Sequence, residues 1–162
     1  MIVITDYDPN WPKIFEALKN RLSSALGDLA ASIEHVGSTA VPGLAAKPII
    51  DLDVLLARHD LPEAIARLAT LGYQYQGDLG IPDREAFLAR APDPRHHLYV
   101  CPPTSREFRR HIAFRDYLRA NQEAVSRYAG LKRSLAAKFP NDWAAYTNGK
   151  SEFVARALAL PE

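Results

Sequence analysis

The sequence is short of the features that mark several protein classes. Cys101 is the only cysteine among 162 residues. This excludes an intrachain disulfide and a cysteine-built zinc cluster, and it fits a reducing compartment. No apolar run approaches the roughly 18 residues that span a bilayer, so no membrane association is expected. The opening MIVITDYDPNW lacks a basic stretch followed by an apolar one, which predicts no secretory leader and a cytoplasmic location. Net charge is +1, from 20 Lys and Arg against 19 Asp and Glu. A strong basic field that would hold nucleic acid non-specifically is thereby excluded. Internal repeats and low-complexity segments are also missing. Basic side chains do gather between Arg84 and Arg133, so a local anion-binding surface is compatible with a near-neutral chain.

What is present describes an ordinary globular core: 48% hydrophobic and 24% charged residues, enough chain for one compact domain. Ile14, Leu18, Leu22 and Leu26 recur at helical spacing, predicting a helix over 10–26 with Asp8 as its cap and Pro9 in its first turn. Short strands are expected at 33–36 and 49–56, and a helix at 61–71 opened by an Asp60/Glu63 capping box. Three further strands (73–76, 84–90, 96–101) have connections too short for helical crossovers and so read as antiparallel. Pro92 is among the residues that punctuate them. After Pro102-Pro103 the character changes to helices over 105–120, 122–138 and 142–160, with capping by Thr104/Glu107 and Asn141. The pattern is α+β: a sheet-bearing core over 1–103, and a helical segment over 104–162 packed on it.

The strand IIDLDVLL carries the chemistry. With a side-chain period of two, Asp51 and Asp53 share one face while Ile50, Leu52 and Val54 point to the core. Adjacent carboxylates repel unless protonated or bridged by a cation, and Mg²⁺ suits such a pair together with substrate phosphates. The alternative is a pair of solvated acids. Upstream, Gly37-Ser38-Thr39 breaks a strand end in a turn whose glycine lets backbone approach an anion, with two hydroxyls beside it.

The order Gly-Ser…Asp-x-Asp resembles the signature of the nucleotidyltransferase superfamily, the group similar to DNA polymerase beta. More narrowly, HVGSTAVPGLAAKPIIDLDV (35–54) resembles the GrpB family, with further similar stretches at 97–100, 114–119, 128–132 and 146–150. The resemblance implies a nucleotidyltransferase-like mixed sheet packed with helices. It gives Gly37 and Ser38 a phosphate role and makes Asp51 and Asp53 metal ligands for Mg²⁺. The implied reaction is metal-dependent transfer of a nucleotidyl group from a nucleoside triphosphate to an unknown acceptor (small molecule, RNA or protein). One departure from the superfamily pattern concerns a third acid, usually supplied by a later strand. The strand 96–101 offers none, only His97 and Tyr99 on the expected active face. His97 is read as ligand, base or anion donor, and Asp116, Asp78 and Asp83 as substitutes without support from spacing. Two alternatives therefore stand beside transfer: a non-catalytic nucleotide-binding or regulatory module, and a phosphohydrolase using the Asp pair with His97.

Other residues carry two readings. Thr39 and Lys47 are candidate phosphate contacts. Tyr128 with Lys132, and Tyr146 with Lys150, are i,i+4 pairs on helix faces. Either the lysines reach the phosphates, or each tyrosine packs while its lysine snorkels to water. Arg115 is either an anion clamp or a structural ion-pair partner. His35 either points at the pocket or is structural, and Trp11 and Trp143 are expected in the core.

Overall fold

The computed structural model describes residues 1–90 and 94–159. Helix α1 (Trp11–Leu26) carries its apolar stripe into the core through Trp11, Phe15, Leu18, Leu22 and Leu26. Asp8 does not cap it in the ordinary position. Its carboxylate accepts the Asn10 N–H at 2.9 Å one residue earlier, and the proline of the first turn is Pro12 rather than Pro9. Strand β1 (Ala30–Val36) is three residues longer than expected and is bulged between Ala30 and Ser32. A single 3₁₀ turn over Ser38–Ala40 leads to β2 (Ile50–Leu56), followed by α2 (Leu61–Ala69), β3 (Tyr73–Tyr75), β4 (Glu85–Ala89) and β5 (His96–Cys101). Helices α3 (Arg106–Ala120), α4 (Gln122–Lys138) and α5 (Trp143–Ala159) complete the chain. The expected boundary at Leu160 and the punctuation at Pro92 lie outside the described residues.

The five strands form one mixed sheet in the order β1-β2-β5-β4-β3. β1 pairs antiparallel with β2, β5 is parallel to β2, and β4 pairs antiparallel with both β5 and β3. This is the expected α+β architecture. Alternation sends Ile50, Leu52, Val54 and Leu56 of β2, with Ile33, Leu98 and Val100, onto α1 and onto Ala64 and Leu68 of α2. The opposite sheet face carries Glu34, Val36, Asp51, Asp53, His97 and Tyr99, and α3 crosses part of it. Between the last helices Gly149 allows close approach, because a Cβ there would sit 2.4 Å from a Leu135 methyl.

Three caps differ from the sequence expectation. Asp60 has helical φ and ψ and makes no cap bond, while Glu63 pairs with Arg67 at 3.0 Å. At α3 the cap is Ser105, not Thr104: its fully buried Oγ accepts the Phe108 N–H at 3.1 Å. At α5 it is Asp142, not Asn141, that accepts the Ala145 N–H. Ser105→Ala should therefore lower stability by about 1 kcal/mol, read as a melting temperature about 2–4 °C lower. Thr104→Ala should leave it unchanged, and equal effects would mean the cap is misassigned. Trp143 is the remaining correction, since it is 47% exposed rather than core.

Candidate functional site

The turn after β1 and the start of β2 meet at Gly37 and Asp51. Gly37 has φ +75 and ψ −176, and a Cβ on it would lie 2.2 Å from Asp51 Oδ2. Glycine is required there because the Asp51 carboxylate packs on the turn backbone. Asp51 is half-buried and its Oδ1 accepts the His97 Nδ1–H at 2.9 Å across the parallel β2–β5 register. That bond leaves His97 Nε2 as the acceptor nitrogen of the ring.

Asp53 is on the same face but is fully buried. The two acids that the resemblance makes metal ligands are thus unequally placed, because α3 lies over Asp53. His111 Nδ1 donates to Asp53 Oδ2 at 2.6 Å, and its Nε2 faces Glu107 Oε1 at 3.3 Å. Burial pushes the Asp53 carboxyl up, and the His111 bond and charge only partly reverse this. For His111, burial pulls down, but the bond and charge of Asp53, with Glu107 and Asp51, outweigh it and raise the imidazole.

Above Asp51 opens a cavity of about 430 Å³ between the turn and helices α3 to α5. Gly37, Ser38, Thr39, Lys47, Asp51, His97, Lys132, Tyr146 and Lys150 all line it, together with Tyr128, Glu107 and His111. Lys132 is 2% exposed, stands 4.8 Å over the Tyr128 ring, and its Nζ has no hydrogen-bond partner. Burial, reinforced by Lys150, Lys47 and Arg133, lowers its pKa to about 7. Lys150 stands 4.7 Å over the Tyr146 ring, and burial with Lys47 lowers it to about 8. Lys47 approaches the Trp143 ring at 4.5 Å and is lowered mainly by burial. The Tyr146 hydroxyl is also buried without a partner, and burial pushes it up to about 12. Among the described residues, the buried side-chain polar atoms lacking a partner are Asp53 Oδ1, Arg84 Nε, Lys132 Nζ and Tyr146 Oη. All four belong to this side of the sheet.

Other residues are used differently. The Thr39 hydroxyl donates to the Ile49 carbonyl at 3.3 Å and accepts from His35 Nε2 at 2.9 Å, so it is committed to holding the turn. His35 stacks on Phe15 at 4.7 Å, and burial lowers it to about 4, which makes it a neutral structural group. Arg115 does not reach the cavity. It binds Glu34 and Asp116 at 2.9 Å each and the His35 carbonyl at 3.2 Å, tying α3 to β1. Asp116 is consumed in that pair, Asp83 binds Arg58, and Asp78 accepts the Gly80 N–H, so none supplies a third acid. The acid nearest the site is Glu107. It and His111 are four apart on α3, a spacing visible in the sequence but absorbed there by the capping-box reading.

The fold is nucleotidyltransferase-like. A Cid1 poly(U) polymerase bound to MgATP superimposes with a TM-score of 0.59, covering 90% of this chain and 50% of that one, at 13% identity. At that identity the likeness is one of fold alone. A narrower match is found over nearly the whole chain: the GrpB protein family model matches residues 1–159, and the chain belongs to the GrpB family. The chain is 41% identical over 162 residues to the UPF0157 protein PA4798 of Pseudomonas aeruginosa, covering 97% of this chain and 66% of that protein's length. It is also similar to the crystal structure of GrpB from Enterococcus faecalis, with a TM-score of 0.86, 34% identity, and coverage of 96% and 94% of the two chains. No described helix is long and apolar enough to cross a membrane.

Proposed function

We propose that this protein binds a magnesium–nucleoside triphosphate and transfers its nucleotidyl group to an acceptor. The observation that supports this best is the pair of buried, unpartnered polar atoms, Lys132 Nζ and Tyr146 Oη, on one cavity. Buried polar groups are normally satisfied, and Lys132 Nζ and Tyr146 Oη are costly to leave bare. Three lysines share this small cavity with the carboxylates of Asp51 and Glu107; the lysines repel one another, and a polyanion relieves that repulsion.

In this reading Lys47, Lys132 and Lys150, with Tyr146, hold the terminal phosphates. The Gly37-Ser38 turn brings backbone and hydroxyl to the phosphate chain, and Thr39 keeps the turn in shape. The donor set suits one hard cation: Asp51 faces the cavity, and Asp53 behind it has an oxygen without a partner. Among the described residues, no cluster of three His, Cys, Asp or Glu side chains is arranged to hold a metal. Water and phosphate oxygens would complete the shell, as is common for magnesium. Bound there, the ion would supply charge neutralisation on the phosphoryl oxygens. His97, oriented by Asp51, accepts the acceptor hydroxyl's proton on Nε2. The hydroxyl oxygen bonds to the α-phosphorus and the bond to pyrophosphate breaks.

The test is twofold. A non-hydrolysable triphosphate should bind in millimolar-range magnesium and lose affinity with chelator. An α-labelled nucleotide should transfer label to a component of a small-molecule and RNA pool, releasing pyrophosphate. Absence of any triphosphate binding would sink the reading. The full burial of Asp53 beneath His111 favours a second one, a nucleotide-binding module without turnover, which gives binding and no label transfer. Release of free phosphate instead would identify a phosphohydrolase.

A further inference from the structure

The Asp51 carboxylate also borders a second, smaller cavity of about 180 Å³, lined by Val36, Gly37, Asp51, Arg84, Tyr99 and His111. Asp51, Gly37 and His111 border the lysine cavity too, so these residues form the wall between the two spaces. The Arg84 guanidinium lies 4.3 Å over the Tyr99 ring, and its buried Nε has no hydrogen-bond partner. Among the described residues, no carboxylate lies within ion-pair distance of it. Arg84 is half-buried with only its Nε shielded from water, and a guanidinium so placed matches a carboxylate or phosphate in bidentate fashion. Strand alternation places Leu88 on the same sheet face as Arg84, and Leu88 is 50% exposed. The β4 side of this face is therefore open to solvent, away from the helices that enclose the lysines.

We propose that this second cavity binds the acceptor, and that the acceptor is a small molecule carrying a phosphate or carboxylate recognised by Arg84. The proposal rests on the nucleotidyl-transfer reading, because Asp51 is then the boundary between donor and acceptor. The size of the cavity fits one headgroup. The Tyr99 ring fixes the guanidinium plane, so the anion determines which hydroxyl is presented toward Asp51 and His97.

The experiment uses the full chain saturated with magnesium and a non-hydrolysable triphosphate, with the Arg84 Nε–H followed by ¹⁵N NMR. Inorganic phosphate, glycerol 3-phosphate, lactate and a short RNA with free ends are titrated separately. The expected result is a saturable shift of the Arg84 signal with a small phosphate or carboxylate. Arg84→Ala, which lacks that signal and is followed with Arg84→Lys and the wild type by titration calorimetry, should weaken that binding about tenfold or more, the loss expected for a charge-assisted pair. Arg84→Lys should fall between, and triphosphate affinity should be the same in all three. Phosphate and lactate arms separate the two anion sources. No shift with any small anion, affinity unchanged in Arg84→Ala, or a shift with RNA alone overturns the proposal. If the triphosphate itself fails to bind, the nucleotidyl-transfer reading fails, and the same resonance still reports whether phosphate alone occupies the Arg84 cavity.

Discussion

Lys132→Met should abolish triphosphate binding and at the same time make the unliganded protein more stable. Lys132 is almost fully buried, its amine has no partner, and Lys47 and Lys150 share its cavity. Methionine keeps the unbranched apolar stem that stacks beside Tyr128 and removes the charge. Replacing buried charge with a well-packed apolar group commonly gains about 1–4 kcal/mol, about 2–16 °C in melting temperature for a chain of this size. The pH dependence follows from linkage. The folded amine has a pKa of about 7, below its ordinary 10.5. Between those values the unfolded state binds more protons, so wild-type stability rises with pH across that window. The gap between wild type and Lys132→Met should therefore be widest below pH 7 and narrow toward pH 10. Binding runs the other way. A polyanion needs the charged amines, so triphosphate affinity in the wild type should fall as pH rises through 7 to 8, the range set by Lys132 and Lys150. Asp51 faces the same cavity and opposes this only modestly. Calorimetric melts and binding titrations over that pH range decide the matter. A variant that melts lower and binds normally would make Lys132 a structural residue.

The sheet was legible because its signals are local. The alternation in IIDLDVLL places Leu52 in the core and both aspartates opposite, and the short connections from Tyr73 to Cys101 dictate antiparallel pairing. Alternation, however, fixes only the face, not what lies over it. Asp53 is sealed by His111 from a helix 58 residues later in the chain, and no period in β2 reports that. Arg115 beside Asp116 reads equally well as a clamp or a pair. The deciding partner, Glu34, is 81 residues away. Caps slipped by one residue at α3 and α5 because Thr104 and Ser105, or Asn141 and Asp142, are chemically equivalent as caps. Backbone geometry alone chooses between them. The Tyr-x-x-x-Lys pairs carried the right grouping but not the depth. Helical spacing predicts that Lys132 and Lys150 share faces with their tyrosines, whereas the closure of α4 on α5 at Gly149 brings them together.

Gly37→Ala should be the most damaging single-methyl substitution in the chain, and Gly43→Ala shows why. Both glycines have positive φ, +75 and +82. At Gly43 an added Cβ meets nothing within 4 Å, so the cost is backbone strain alone, about 1 kcal/mol. At Gly37 the backbone (φ +75, ψ −176) belongs to a region that is nearly glycine-only, and the Cβ lands 2.2 Å from Asp51 Oδ2. The turn must shift or the carboxylate must rotate away from it. Either motion disturbs the bond to His97 and the metal position assigned to Asp51. The expected loss is about 3 kcal/mol of stability, roughly 6–12 °C in melting temperature, with magnesium-dependent triphosphate binding falling below detection. Gly43→Ala should keep that binding. A double-mutant cycle separates contact from strain. In an Asp51→Ala background the clashing oxygen is gone, so Gly37→Ala should cost clearly less than in the wild type, with a coupling on the order of 1 kcal/mol. Strict additivity would show that the turn and the carboxylate do not touch, and the close seating of Asp51 on the glycine turn would have to be abandoned.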